Sequence, residues 1–174
     1  MAEEYEQSYS EVVTRTSGGK YELNLPDGLL ELLGFEAREL TALISGPDSN
    51  HPNLMRLHPQ ASLNDFELAS EFKSMADSQI LESHKEAFKL IAKFSNSIEP
   101  LTHEELDQYL RGVNAIRLAI GSALDISDQT DFDLDPDDEG AQPLFLYSVF
   151  TSLASLITEV LLEDTPEIED EDGS

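Results

Sequence analysis

The chain has 174 residues, 36 of them Asp or Glu against 10 Lys or Arg, giving a formal net charge of −26, and it contains no cysteine. A field of that sign repels nucleic-acid phosphates and anionic lipid headgroups, which excludes direct nucleic-acid and membrane-surface binding and leaves basic protein surfaces as complementary partners. The lack of cysteine excludes disulfides, thiolate metal sites, thiol catalysis and a cysteine redox switch.

The length fits one domain, and 40% hydrophobic residues supply one sizeable core. Residues 1–11 carry four glutamates and no apolar run. They predict a disordered acidic N-terminus, not a signal peptide, and a cytoplasmic protein. Val12–Arg15 and Tyr21–Leu25 flank Ser17-Gly18-Gly19-Lys20, and Tyr21, Leu23 and Leu25 alternate with polar residues. That pattern predicts one hairpin, too small to stand without helices beneath it.

Pro26-Asp27-Gly28 opens a helix to about Ile44, with Leu29, Leu33, Ala37, Leu40 and Ile44 as its stripe and Gly46-Pro47 as its stop. Residues 46–64 form a polar connection in which Leu54–Leu57 predicts a single anchoring turn. Asn64-Asp65-Phe66-Glu67 has capping-box spacing and starts a helix reaching as far as Ser97. Ala69, Phe72, Ala76, Ala87, Leu90 and Phe94 share one side of it, and Lys85, Lys89 and Lys93 form a basic stripe. Thr102-His103-Glu104-Glu105 is a second capping box. It begins a helix through Leu124, with Leu106, Tyr109, Leu110, Val113, Ile116, Ile120 and Ala123 inward.

Asp125–Gly140 is an acidic loop, and Glu163–Ser174 reads as a disordered acidic tail. Between them, Pro143–Leu162 is a 20-residue apolar run whose only charge is Glu159. It is long enough to span a bilayer. However, Ser148, Thr151, Ser152, Ser155, Thr158 and Glu159 recur at helical spacing, and no Lys or Arg follows Arg117. That predicts a helix sunk in a helical core with a narrow polar edge, not a membrane span. The predicted fold is mainly α: a small helical bundle of about four main helices with a short β-hairpin packed on it, one domain over residues 12–162.

Few residues carry chemistry. Asp131, Asp133 and Asp135 sit at the first three ligand positions of an EF-hand loop, but Pro136 and Gln142 replace its glycine and bidentate glutamate. A solvated charge run is the bland reading and a loose cation site the sharp one. Arg117 falls on the apolar arc of Leu110, Val113, Ile120 and Leu124, so it needs a partner. Glu159 is the candidate for a buried ion pair; an anion or carboxylate site is the other reading. His51, His58, His84 and His103 show no zinc spacing. Lys85, Lys89 and Lys93 are either a solvated face laced with Glu82 and Glu86 or a docking stripe for acid. No nucleophile elbow or phosphate loop is present, so no catalytic, metal or cofactor site is expected.

The order of elements, with the segment HPNLMRLHP, the helix start FELASEF, the run LTHEELDQYLRGVNAIRLAIGSALDI and the closing aromatic–leucine helix, resembles the actinobacterial family catalogued as domain of unknown function two-zero-one-seven. The resemblance covers about Val12–Leu162, and its most specific piece is Asn114–Gly121. It implies a cytoplasmic regulator of stress or sulfur metabolism acting by protein contacts, with no catalytic residues assigned. Together with the charge, it leads to the expectation of a non-enzymatic regulator whose partner has a basic surface, such as a component of the transcription machinery. The alternative is a small-molecule or metal-ion binding protein using Arg117 or the Asp125–Glu139 loop.

Overall fold

Glycine permits the turn of the hairpin. In the computed structural model, which describes residues 12–47, 51–57, 69–130, 132–133, 135 and 137–164 (side chains of 69–74 excepted), strands β1 (Val13–Arg15) and β2 (Tyr21–Leu23) pair antiparallel. Val13 lies opposite Leu23, and Arg15 opposite Tyr21. Gly19 takes the φ of 75° that closes the loop. Such a ribbon gains too little burial to stand alone. Tyr21 accordingly exchanges both backbone hydrogen bonds with Leu101, each 2.8 Å, which stitches the ribbon to the segment entering a helix. Val13, Tyr21 and Leu23 are buried.

Helix α1 (Asp27–Ser45) starts on the Pro26 carbonyl, which accepts from the Leu29 and Leu30 amides. Leu30, Leu33, Gly34, Ala37 and Leu40 are buried, while Leu29 and Ile44 are only partly covered. Leu33, Ala37 and Leu40 of the expected stripe are thus fully buried, and Leu30 and Gly34 widen the row on one side. Glu36 lies half-buried on this helix, and burial first, then the Glu39 charge, push its carboxyl above the ordinary value. The folded chain then holds this proton more tightly than the unfolded chain, so this contribution falls as pH rises through the carboxylate range. Glu36→Gln is expected to raise the thermal midpoint at pH 7, with the gain vanishing in melts below about pH 4.5.

A 3-10 segment, Pro52–Leu57, buries Leu54 and Leu57, as the anchoring turn required. Helix α2 (Ala69–Lys93) follows; the capping box proposed at Asn64–Glu67 lies outside the described residues. A 25-residue helix is about 38 Å long. From Met75 onward its buried positions begin only at Ala87, and Ala76, expected inward, is exposed. The inward face is Ala87, Phe88 and Ile91, with Phe94 just beyond the helix.

Helix α3 (His103–Ala123) has the expected box: the Glu105 amide donates to Thr102 Oγ1 at 3.2 Å, and the Thr102 amide donates to the Glu105 carboxylate at 2.9 Å. α3 is the centre of the bundle. It packs against α2, the 3-10 segment, α4 and α1. Leu106, Tyr109, Val113 and Ile116 are buried as the stripe predicts, while Ala123 is exposed. Gly112, Ala115, Ala119 and Gly121 are buried as well. At Gly112 an added Cβ would lie 2.4 Å from Ile91 Cδ1, so that glycine sets how closely α2 approaches.

Helix α4 (Ala141–Glu163) begins two residues before the expected Pro143, after Gly140 at a φ of 99°. Pro143 sits in the first turn, where its missing N–H costs nothing. Phe150, Leu153, Ala154, Ile157 and Leu161 are buried. Leu146, Val149, Leu156 and Val160 are only partly covered. Phe145 and Leu162 are 68% and 67% exposed. The sunk helix with a narrow polar edge is therefore a helix with one seated face. α4 has the length and composition to cross a bilayer, and here it lies along α3. Residues 1–11 and 165–174, expected to be disordered, lie outside the described residues.

Candidate functional site

A cleft of about 300 Å³ lies between helices α3 and α4. α3 contributes Asn114 and Arg117, at i and i+3 on one face; α4 contributes Thr151, Ala154, Ser155, Thr158 and Glu159. The small side chains of Ala154 and Ser155 leave the space open. Arg117 and Glu159, proposed as a buried ion pair, are brought into the same cleft but do not bond. The ion pairs within 4.0 Å include Arg15–Asp164, Lys85–Glu82, Lys89–Glu86 and Arg111–Asp107, with neither Arg117 nor Glu159 among them. Glu159 is exposed, so water stabilises its charge without a partner.

Arg117 is held in another way. Its guanidinium carbon lies 5.9 Å from the centroid of the Tyr147 ring, within cation–π range. Phe132 stacks on the same ring, with centroids 6.0 Å apart and planes at 20°. Tyr147 approaches α3 closely because position 121 is glycine: a Cβ there would lie 3.0 Å from Tyr147 Cε2 and 2.9 Å from Arg56 Nη1. Arg56 in turn donates to the Ile126 carbonyl at 2.5 Å, latching the 3-10 segment to the end of α3. Within this arrangement the Arg117 Nε is buried and has no hydrogen-bond partner.

The two walls differ in hydrogen-bonding sense. On α4, Thr151 Oγ1 donates to the Tyr147 carbonyl at 2.8 Å and Thr158 Oγ1 to the Ala154 carbonyl at 2.7 Å. Their hydrogens are committed, so toward the cleft these oxygens only accept. Glu159 also accepts. The α3 wall, with Arg117 and the Asn114 amide, supplies donors.

A second hollow, about 370 Å³, lies where the hairpin and the start of α1 meet α4. Leu25, Leu29, Phe145, Val149 and Leu156 make it largely apolar. Nearby, Asp164 fastens the end of α4 to the hairpin. Arg15 Nη1 reaches one of its oxygens at 2.6 Å, and the Tyr21 hydroxyl donates to the other. His103 Nδ1 stands 3.4 Å from that hydroxyl. Burial, the hydrogen bond to Asp164 and that carboxylate's charge push the Tyr21 phenol up, against the pull of Arg15. The acidic tail expected from Glu163 thus has its first two residues fixed. Nothing local in the sequence pairs Asp164 with residues 149 and 143 positions earlier.

The other sequence candidates fall as follows. Lys85 and Lys89 pair with Glu82 at 3.7 Å and Glu86 at 2.5 Å, the laced solvated face. Lys93 lies over the Phe94 ring at 4.9 Å. Asp131 lies outside the described residues; Asp133 is exposed, and Asp135 accepts from the Asp137 amide at 3.1 Å. Among the described residues no three acidic or histidine side chains are grouped to hold a metal ion.

Residues 11–163 match the family described as a domain of unknown function, DUF2017. The chain belongs to this family. No curated protein and no solved structure matches it. The DUF2017 match spans the hairpin and helices α1 to α4, so the Arg117 cleft and the apolar hollow both lie within it. Asp164, the tether on the hairpin, falls one position beyond the matched residues.

Proposed function

We propose that this DUF2017 protein is a non-enzymatic cytoplasmic regulator that works by binding a partner protein through α4. The observation that carries this reading is the apolar hollow beside α4, at whose edge Phe145 stands 68% exposed. A concave apolar patch open to solvent marks a contact site. The occupant that fits is a protein segment with apolar anchors for the hollow and Lys or Arg on its flanks, because the chain carries a net charge of −26. A component of the transcription machinery, whose basic patches normally meet nucleic acid, has that chemistry.

The test is affinity capture from a lysate of the native host, eluted in steps of salt, with wild type and Phe145→Glu in parallel. The expected result is a basic protein retained by wild type and depleted at least about tenfold with the variant. The same proteins recovered equally with both would sink the reading. Co-sedimentation of wild type with neutral phosphatidylcholine vesicles, lost in Phe145→Glu, would assign the face to a membrane instead.

A further inference from the structure

We infer that the cleft between α3 and α4 is a binding site for a small zwitterion of the free amino-acid type. Its carboxylate is held by Arg117 and Asn114, and its ammonium by Glu159 and the oxygens of Thr151 and Thr158. This site is separate from the apolar hollow and does not depend on the partner-binding role.

Three features of the cleft converge on this ligand class. Arg117 has a buried Nε without a partner, and no carboxylate lies within ion-pair distance among the described residues. The Nε is closed to the cleft, so the terminal Nη nitrogens of this unpaired guanidinium are what a ligand can reach, and a carboxylate matches their planar fork. On the opposite wall Thr151 and Thr158, whose hydrogens are spent on helix carbonyls, and Glu159, free of ion pairs, offer acceptors, and the Ser155 hydroxyl between them can donate or accept. A donor wall facing an acceptor wall, each with one formal charge, is complementary to a molecule carrying both charges. The volume of about 300 Å³ is at the small end of ligand sites, which limits the occupant to a few heavy atoms beyond the two charged groups.

The charge of the whole chain decides between this ligand and a simple anion. At −26 the protein repels phosphates and dicarboxylates, and the Glu159 carboxylate at the cleft adds to the repulsion. A zwitterion brings no net charge and satisfies both walls.

The experiment is calorimetric titration and thermal melting of the full chain with L-alanine, L-glutamine and L-leucine. Propionate and ethylamine serve as single-charge analogues. At least one amino acid is expected to bind and raise the melting midpoint, while neither analogue does. Arg117→Gln and Glu159→Gln are each expected to weaken that binding about 10- to 100-fold, the scale of one charge-assisted hydrogen bond. Lys89→Gln, on the solvated face of α2, should leave it unchanged. Melts without ligand establish that each variant folds, and Glu159 is exposed, so its substitution tests recognition without touching the core. The inference is overturned if none of the three amino acids binds below about 10 mM. Propionate binding as tightly as the amino acids, or an unchanged affinity in Glu159→Gln, would overturn it equally, since either leaves a plain anion site.

Discussion

Phe150→Ala is expected to destabilise the protein by about 3–5 kcal/mol, read as a lowered midpoint in urea denaturation, whereas Phe145→Ala shifts it by no more than about 0.5 kcal/mol. The two phenylalanines lie on the same helix, five positions apart in sequence. Phe150 is fully buried, with 0% exposure, and Phe145 stands 68% exposed. Truncating Phe150 removes its transfer energy and leaves a cavity among close-packed neighbours that relax only in part. Truncating Phe145 removes surface that water already covers. The pair therefore measures how α4 is seated. Equal effects would mean that α4 does not pack against α3 by the face described, and the partner-binding proposal would lose its exposed face with it.

The second large effect is expected at Gly34, where helix propensity and packing oppose each other. In an exposed helix interior, glycine to alanine gains about 1 kcal/mol. At position 34 an added Cβ would stand 2.3 Å from the Ser95 Cβ and 3.2 Å from its Cα. Neither atom is the movable end of a long side chain, so α1 or the turn after α2 has to shift. Overpacking of this kind costs about 1–3 kcal/mol, sometimes more, and the contact is short enough to place it at the upper end. Gly34→Ala is expected to lower stability by about 2 kcal/mol net. Gly28→Ala in the first turn of the same helix meets nothing within 4 Å. It should be neutral or slightly stabilising in the same denaturation assay. A stabilising Gly34→Ala would show that α1 and the Ser95 turn are farther apart than described.

The candidate site was legible in part. Arg117 stood out because a guanidinium on an apolar arc has to be accounted for, and Glu159 because it was the only charge in a 20-residue run. Both do reach one cleft. Their bonding was not legible, because a few ångströms decide between an ion pair and two walls of a cleft, and that distance is set by the small residues between α3 and α4. Tyr147 as the neighbour of Arg117 was hidden for a similar reason: the approach depends on Gly121 lacking a Cβ. The polar positions Thr151, Ser155, Thr158 and Glu159 were visible as one helical edge. Nothing in the sequence said that Asn114 faces them.

By itself the sequence determined the elements. Hydrophobic periodicity, Pro26, the Thr102–Glu105 box and the Gly18-Gly19 turn act through contacts within a few residues, and the hairpin, α1 and α3 appear where those local signals put them. Tertiary structure decided which helix lies at the centre. The most apolar run, Pro143–Leu162, was expected to be the core. The centre is instead α3, because buried small residues such as Gly112, Ala115 and Ala119 let neighbours pack on several sides. Apolar content measures how strongly a helix is driven from water, and side-chain volume measures how many neighbours fit around it. Only the second picks the hub, and that choice leaves part of α4 facing outward.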